Sequence, residues 1–175
     1  MDKKALHKIS YGLYVVCSKK DEKINGQIAN AILQVTAEPP SIALSINKQN
    51  LTHEFMDYSK AVTISVLSQE TPMKFIGIFG FRSGRDIDKF KEVKYKLGKE
   101  KIPIILDYCV ASIESEITDK IDVGTHTIFI GDIIDSEILS DDKPMTYEYY
   151  HQVKGGYSPK TAPTYYKEMD KPKKV

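Results

Sequence analysis

The sequence predicts a mainly β fold, an antiparallel barrel that is closed or nearly closed and carries a few short helices. Three observations predict it. Stretches that alternate apolar and polar residues outnumber stretches with helical spacing. The strand-like stretches are rich in β-branched and aromatic residues. No regular strand–helix alternation of the kind that builds a parallel sheet runs along the chain.

Taken in order, residues 12–19 (GLYVVCSK) read as a strand, and Lys20-Asp21-Glu22-Lys23 as a charged turn. Residues 24–36 return as a second strand, broken at Asn25-Gly26 by a tight turn or a bulge. Residues 41–46 (SIALSI) put Ile42, Leu44 and Ile46 on one face of a half-buried strand. The pattern turns helical over residues 53–58, where either Asn50 or Thr52 can supply the capping oxygen. Residues 61–67 (AVTISVL) alternate again. Thr71-Pro72 has the form of an N-cap followed by proline at the first helical position. Residues 79–103 are irregular, and such segments inside a compact domain are often functional. From Cys109, residues Ala111, Ile113, Ser115 and Ile117 share one face, with Ser112, Glu114, Glu116 and Thr118 on a second, wet face. Val123-Gly124 turns the chain into a last strand over residues 126–139, with a bend at Gly131.

Length bounds the organisation. The 175 residues suit one domain, expected over residues 1–166 as far as an ordered Tyr-, Pro- and Gly-rich arm, with a mobile basic tail over 167–175. Twenty-five basic residues face twenty-four acidic ones, a balance that argues against a nucleic-acid partner. No apolar run is long enough for a membrane span, and no apolar core follows the charged first residues as in a signal peptide. Cys17 and Cys109 lie in strand-like surroundings and read as two reduced, buried thiols of a cytoplasmic protein. His7, His53, His126 and His151 show no metal-ligand spacing. Walker, GxSxG and GxGxxG patterns are missing, and no catalytic residue stands out.

Three segments carry candidate chemistry. Asn47-Lys48-Gln49-Asn50-Leu51-Thr52 lies between a predicted strand and a predicted helix. First-turn amides lack partners within the helix and, with the helix dipole, attract an anion. Lys48 adds a charge and Thr52 a hydroxyl, which suits a phosphate monoester, although a polar turn before a capped helix has the same composition. Asn25-Gly26-Gln27-Ile28-Ala29-Asn30 replaces bulky strand residues by small ones and amides, which lets a flat ligand approach the backbone; solvated amides on a bulge would look alike. Arg82-Ser83-Gly84-Arg85-Asp86 suits an anion and is equally an ordinary polar loop.

In this order the segments resemble one family. Tyr11 to Val16, Asn25 to Asn30, Gln34-Val35-Thr36, Asn47 to Thr52, Ser83 to Asp86 and His126 to Gly131 are similar to the flavin-reductase-like FMN-binding domains. Tyr150-His151 through Tyr165 resembles the arm of the flavoredoxin and high-molecular-weight-rubredoxin branch. The likeness covers roughly residues 6–166, and its specificity lies in the ordered set. It implies a Greek-key split β-barrel working as a homodimer, with FMN near the subunit interface. It implies flavin contacts from Gln27, Ala29 and Asn30, and a phosphate end held by Asn47, Lys48, Asn50 and Thr52. Ser83, Gly84, Arg85 and Lys89 would close over the ligand, with His126 near the ring and Tyr150, Tyr157 or Tyr165 packing on it. The chain has no Trp, which some relatives place beside the flavin, so stacking falls to Tyr or Phe or is absent. The implied activity is NAD(P)H-dependent reduction of flavin or of an electron carrier such as rubredoxin. The alternatives are a flavoredoxin-like electron-transfer protein without NAD(P)H activity and a non-catalytic FMN-binding domain.

Overall fold

Residues 14–17 are apolar without interruption, and such a run is buried on both faces. The computed structural model, which describes residues 1–167, bears this out. In strand β1 (Tyr14–Lys20), Val15 and Cys17 enter one core while Val16 enters another. The first core collects Phe75, Ile76 and Phe79 with Ile102, Ile105 and Met145. The second lies inside the curled sheet, where Ile42, Leu44, Ile46, Ile64 and Phe129 meet Met56.

Seven strands form one antiparallel sheet in the order β2-β1-β5-β8-β9-β4-β3. They are β1, β2 (Lys23–Ala29), β3 (Ile32–Ala37), β4 (Pro40–Asn47), β5 (Ala61–Leu67), β8 (Cys109–Val123) and β9 (His126–Ile138). The two edge strands, β2 and β3, are consecutive in sequence and joined only by Asn30-Ala31. Successive Cα atoms are about 3.8 Å apart, so a two-residue link holds the strand ends within roughly 11 Å. The sheet must therefore curl until its edges meet at that corner. The link between β4 and β5 crosses from one part of the sheet to another through helix α1 (Leu51–Ser59), as a Greek-key connection does. Helix α2 (Met73–Gly80) packs Phe75, Ile76 and Phe79 into the first core.

Four local expectations are corrected. Residues 24–36 are not one strand broken at Asn25-Gly26, because the break falls at Asn30-Ala31. Asn25 and Gly26 run through β2 in unshifted register with Ser18 and Cys17. Gly26 is there for room, since a Cβ would lie 2.8 Å from Cys17 Sγ and 3.1 Å from Phe79 Cε1. Thr71 does not cap α2; Pro72 holds the cap position, and the Thr71 hydroxyl donates backwards to Ser68 O (2.7 Å). Residues 79–103 are not wholly irregular, because β6 (Tyr95–Leu97) pairs with β7 (Pro103–Ile105). That hairpin overturns the fourth expectation. Ser112 and Glu114, assigned to a wet face of β8, are buried beneath it, and Glu114 Oε2 accepts the Lys99 amide (2.8 Å).

The C-terminal arm begins with α3 (Tyr147–Gln152) and folds back on its own chain. Most of the expected basic tail, residues 168–175, lies outside the described residues.

Candidate functional site

A cleft of about 600 Å³ opens where β2, the end of β4, α1, α2 and the arm converge. This is within the usual range for a small-molecule site. Each wall follows from its local sequence. Gln27 and Ala29 come from the end of β2, and Asn30 from the link that follows it. The approach of α2 to this strand depends on Gly80, where a Cβ would lie 3.3 Å from Ile28 Cγ1.

At one end of the cleft, Asn47, Gln49, Asn50, Leu51 and Thr52 form the turn from β4 into α1. Asn50 is the N-cap residue but gives the first-turn amides no side-chain bond. Asn47 Oδ1 instead accepts from the Gln49 amide at 3.0 Å. Thr52 is fully buried and its Oγ1 accepts a bond from Asn25 Nδ2 (2.7 Å). A hydroxyl that accepts one bond keeps its own hydrogen to donate. The His53 amide donates to Asn50 O (3.1 Å), so this helix end offers the Leu51 and Thr52 amides and a positioned hydroxyl to an anion.

The loop after α2 closes this end. Gly84 sits directly on Asn25, where a Cβ would fall 1.9 Å from Oδ1. Ser83 Oγ accepts the Arg85 amide (3.1 Å), and the Arg85 guanidinium reaches Glu54 (3.3 Å). Lys89 is buried, and its Nζ donates to Gly26 O (2.8 Å) and Phe79 O (3.3 Å). An ammonium carries three donors, so one remains for a ligand. Burial pushes the Lys89 amine down to about 8. The charged residues that line the cleft are Arg82, Arg85, Lys89 and Lys160, with no carboxylate among the described lining.

The arm forms the remaining wall, with Tyr147, Tyr150, Tyr157 and Tyr165 all lining the cleft. Asn30 Nδ2 donates to Thr164 Oγ1 (3.0 Å), and Thr164 Oγ1 donates to Tyr147 Oη (3.1 Å). Gln27 Oε1 is buried with no hydrogen-bond partner among the described residues. A free amide acceptor, a free ammonium donor, small residues along β2 and an uncapped helix start fit a flat, hydrogen-bonding ring that carries a phosphate. Flavin is such a molecule.

Ten of the twelve residues expected from the sequence line this cleft. Lys48 is not among them; its exposed side chain is paired with Asp122 on β8. His126 is buried just behind the wall. Its Nδ1 lies 2.9 Å from Thr125 Oγ1 and its Nε2 lies 3.2 Å from the carbonyl of Thr161, an arm residue that does line the cleft. Asn25 and Arg82, which head two of the candidate segments, line the cleft as well, and sequence reading missed Ser45, Phe81, Tyr147 and Lys160 as lining residues. A signal existed for one of them, since Tyr147 and Tyr150 stand three apart and share a helix face. Their rings stack at 5.8 Å.

Comparison with known proteins gives the same picture. The family model described as "Flavin reductase like domain" matches residues 6–157. The chain is 52% identical over 165 residues to the high molecular weight rubredoxin of Moorella thermoacetica, covering 94% of this chain and 72% of that protein. It is 46% identical over 166 residues to the ferric-chelate reductase (NAD(P)H) of Archaeoglobus fulgidus, covering 95% and 98%. Among solved structures, the NADH:FAD oxidoreductase of Streptomyces globisporus superposes with a TM-score of 0.72 at 26% identity, covering 81% of this chain and 84% of that one.

Proposed function

The chain belongs to the flavin reductase-like domain family, and from that premise we propose that it is an FMN-binding, NAD(P)H-dependent oxidoreductase. One observation carries the choice of ligand. An uncapped helix start opens into a cleft that Arg85 and Lys89 also line. The flavin supplies the redox chemistry, accepting reducing equivalents from the dinucleotide and passing them to an acceptor.

The chain's own groups bind, orient and tune. The amides at the start of α1, Asn50 and the Thr52 hydroxyl hold the phosphate, with Asn47 shaping the turn. Ser83, Gly84 and Arg85 cover that end. Lys48 joins it only by releasing Asp122. Gln27, Ala29 and Asn30 would lie against the ring, with Gln27 Oε1 free to accept a ring N–H. Lys89 would present its remaining donor to the bound ring, and His126 holds the arm behind it. A second reading, electron transfer to a rubredoxin-type carrier, draws support from the Moorella relative. Both readings use the same cleft, and the buried thiols Cys17 and Cys109 suit a reducing cytoplasm.

The working unit of this reading is a homodimer of split barrels, the split being the seam between β2 and β3. Its support is an apolar sheet face. Cross-strand register places Leu33, Ala43 and Ile130 in one row that ends on the exposed Asp119, Ser45, Ile128 and Ile121 in the next, and Asn47, His126 and Val123 in a third. Leu33, Ile121 and Val123 are 61%, 49% and 48% exposed. Ser45 and Asn47 also line the cleft, so a second copy seated here borders the flavin site.

The test is direct. The purified protein is expected to be yellow, to release FMN rather than FAD on denaturation, and to be bleached anaerobically by NADH or NADPH. Bleaching only by a reduced carrier protein selects the second reading. A protein that takes up no flavin overturns both.

A further inference from the structure

Two of the four cations in the cleft have partners. Arg85 is paired with Glu54, and Lys89 is buried on two carbonyls. Arg82 and Lys160 are exposed, and among the described residues neither makes an ion pair or a hydrogen bond. They stand on different walls, Arg82 on the loop after α2 and Lys160 on the arm. Between these segments Phe81 and Tyr157 face each other, their ring centroids 4.6 Å apart and tilted by 37°. Phe81 remains 38% exposed despite that contact.

The aromatic pair is held in place. Phe81 ends α2 with its amide on Gly77 O (3.1 Å), and the Tyr157 carbonyl accepts the Tyr150 hydroxyl (3.1 Å). Pro159 limits the backbone between Tyr157 and Lys160. Rigid aromatic surface flanked by unneutralised cations is the chemistry that recognises a heterocyclic base bearing phosphates. The flavin phosphate is already provided for at the start of α1, so these cations call for a second anion.

We propose that Phe81, Tyr157, Arg82 and Lys160 form a subsite for the adenosine-diphosphate end of the pyridine dinucleotide, the aromatic pair taking the base and the two cations the diphosphate. This subsite rests on the reading of the cleft as a flavin site. It sets donor affinity by residues that do not hold the flavin.

The experiment uses the full chain loaded with FMN and titrated with ADP, adenosine and inorganic pyrophosphate by calorimetry, with ADP also tested as a competitor of NAD(P)H. Expected is ADP binding that competes with the donor, weakens with added salt and exceeds adenosine binding by about tenfold or more. Arg82→Gln and Lys160→Gln each weaken ADP and raise the donor KM by about five- to tenfold, with FMN affinity unchanged. Phe81→Leu weakens ADP and adenosine together and leaves pyrophosphate unaffected. Three results overturn the proposal: no ADP binding to the FMN-loaded wild type at millimolar concentration, equal ADP affinity in wild type and both Gln variants, or loss of FMN affinity in those variants. Failure of the flavin reading itself is seen earlier, as failure to load FMN before any ADP is added.

Discussion

Thr52→Val is the sharpest perturbation of the phosphate end. It removes one hydroxyl and nearly keeps the shape of the side chain. In the wild type that oxygen accepts from Asn25 Nδ2 at 2.7 Å and sits in the first turn of α1, at 0% exposure. Two costs follow from the geometry. The Asn25 amide loses its buried acceptor, which destabilises the fold by about 1–3 kcal/mol. The phosphate loses a hydroxyl donor to a charged oxygen, worth about 1.5–3 kcal/mol. At about 1.4 kcal/mol per decade, that second cost weakens FMN binding roughly 10- to 100-fold. Flavin fluorescence titration reads the affinity, and urea denaturation of the flavin-free protein reads the stability. Thr52→Ser keeps the hydroxyl and is expected to recover most of the affinity. Val62→Ala truncates a buried side chain of the inner core away from the cleft, and so separates general destabilisation from loss of the contact. An FMN affinity within about twofold of wild type in Thr52→Val, alongside lowered stability, would refute the phosphate role and leave Thr52 a structural partner of Asn25.

Other perturbations probe other parts of the molecule. The Lys89 amine is pulled from its ordinary value to about 8 by burial, so the unfolded chain binds its proton more tightly. This contribution to stability is fully present above the unfolded value near 10.4 and is lost as pH falls through about 8. Subtracting the pH–stability curve of Lys89→Met from that of the wild type is expected to leave a rise between these limits; a flat difference removes the buried ammonium from the account. Ile121→Asp places a charge in the apolar sheet face and is expected to turn dimer into monomer on light scattering and to lower flavin affinity, whereas a wild type that is already monomeric refutes the shared site. Burial pushes the Cys17 thiol up, and Cys109 up to about 12, so neither is expected to react with a thiol reagent at neutral pH until the protein is unfolded. Gly84→Ala puts a Cβ 1.9 Å from Asn25 Oδ1, forces the loop off it and is expected to weaken FMN binding; unchanged binding shows that the loop does not close on the ligand.

Much of this site was legible in the sequence because its signals are local. An amide-rich, small-residue strand end, a polar turn entering a helix and a Ser-Gly-Arg loop are each set by neighbouring residues, and ten of those twelve positions line one cleft. The two that do not are instructive. Lys48 has the right charge in the right segment, but an exposed lysine goes to whichever acid the fold brings near, and here β8 supplies Asp122. His126 heads the predicted strand, yet its ring turns to the arm carbonyl of Thr161, 35 residues away in sequence.

The chain alone therefore determined the antiparallel, mainly β class, the strand faces around Ile42, Leu44 and Ile46, and the polar turn from Asn47 to Thr52 that leads into a helix. These follow from periodicity and from residue chemistry within a few positions. Only the tertiary structure decided where β2 ends, because the break at Asn30-Ala31 is imposed by the two sheet edges meeting there. It alone buried Glu114, because the β6–β7 hairpin that covers it is distant in sequence. It alone brought Phe81 and Arg82 to Tyr157 and Lys160, across more than seventy intervening residues. Contacts between distant segments depend on how whole elements pack, and a pattern read over a few residues carries no record of that packing.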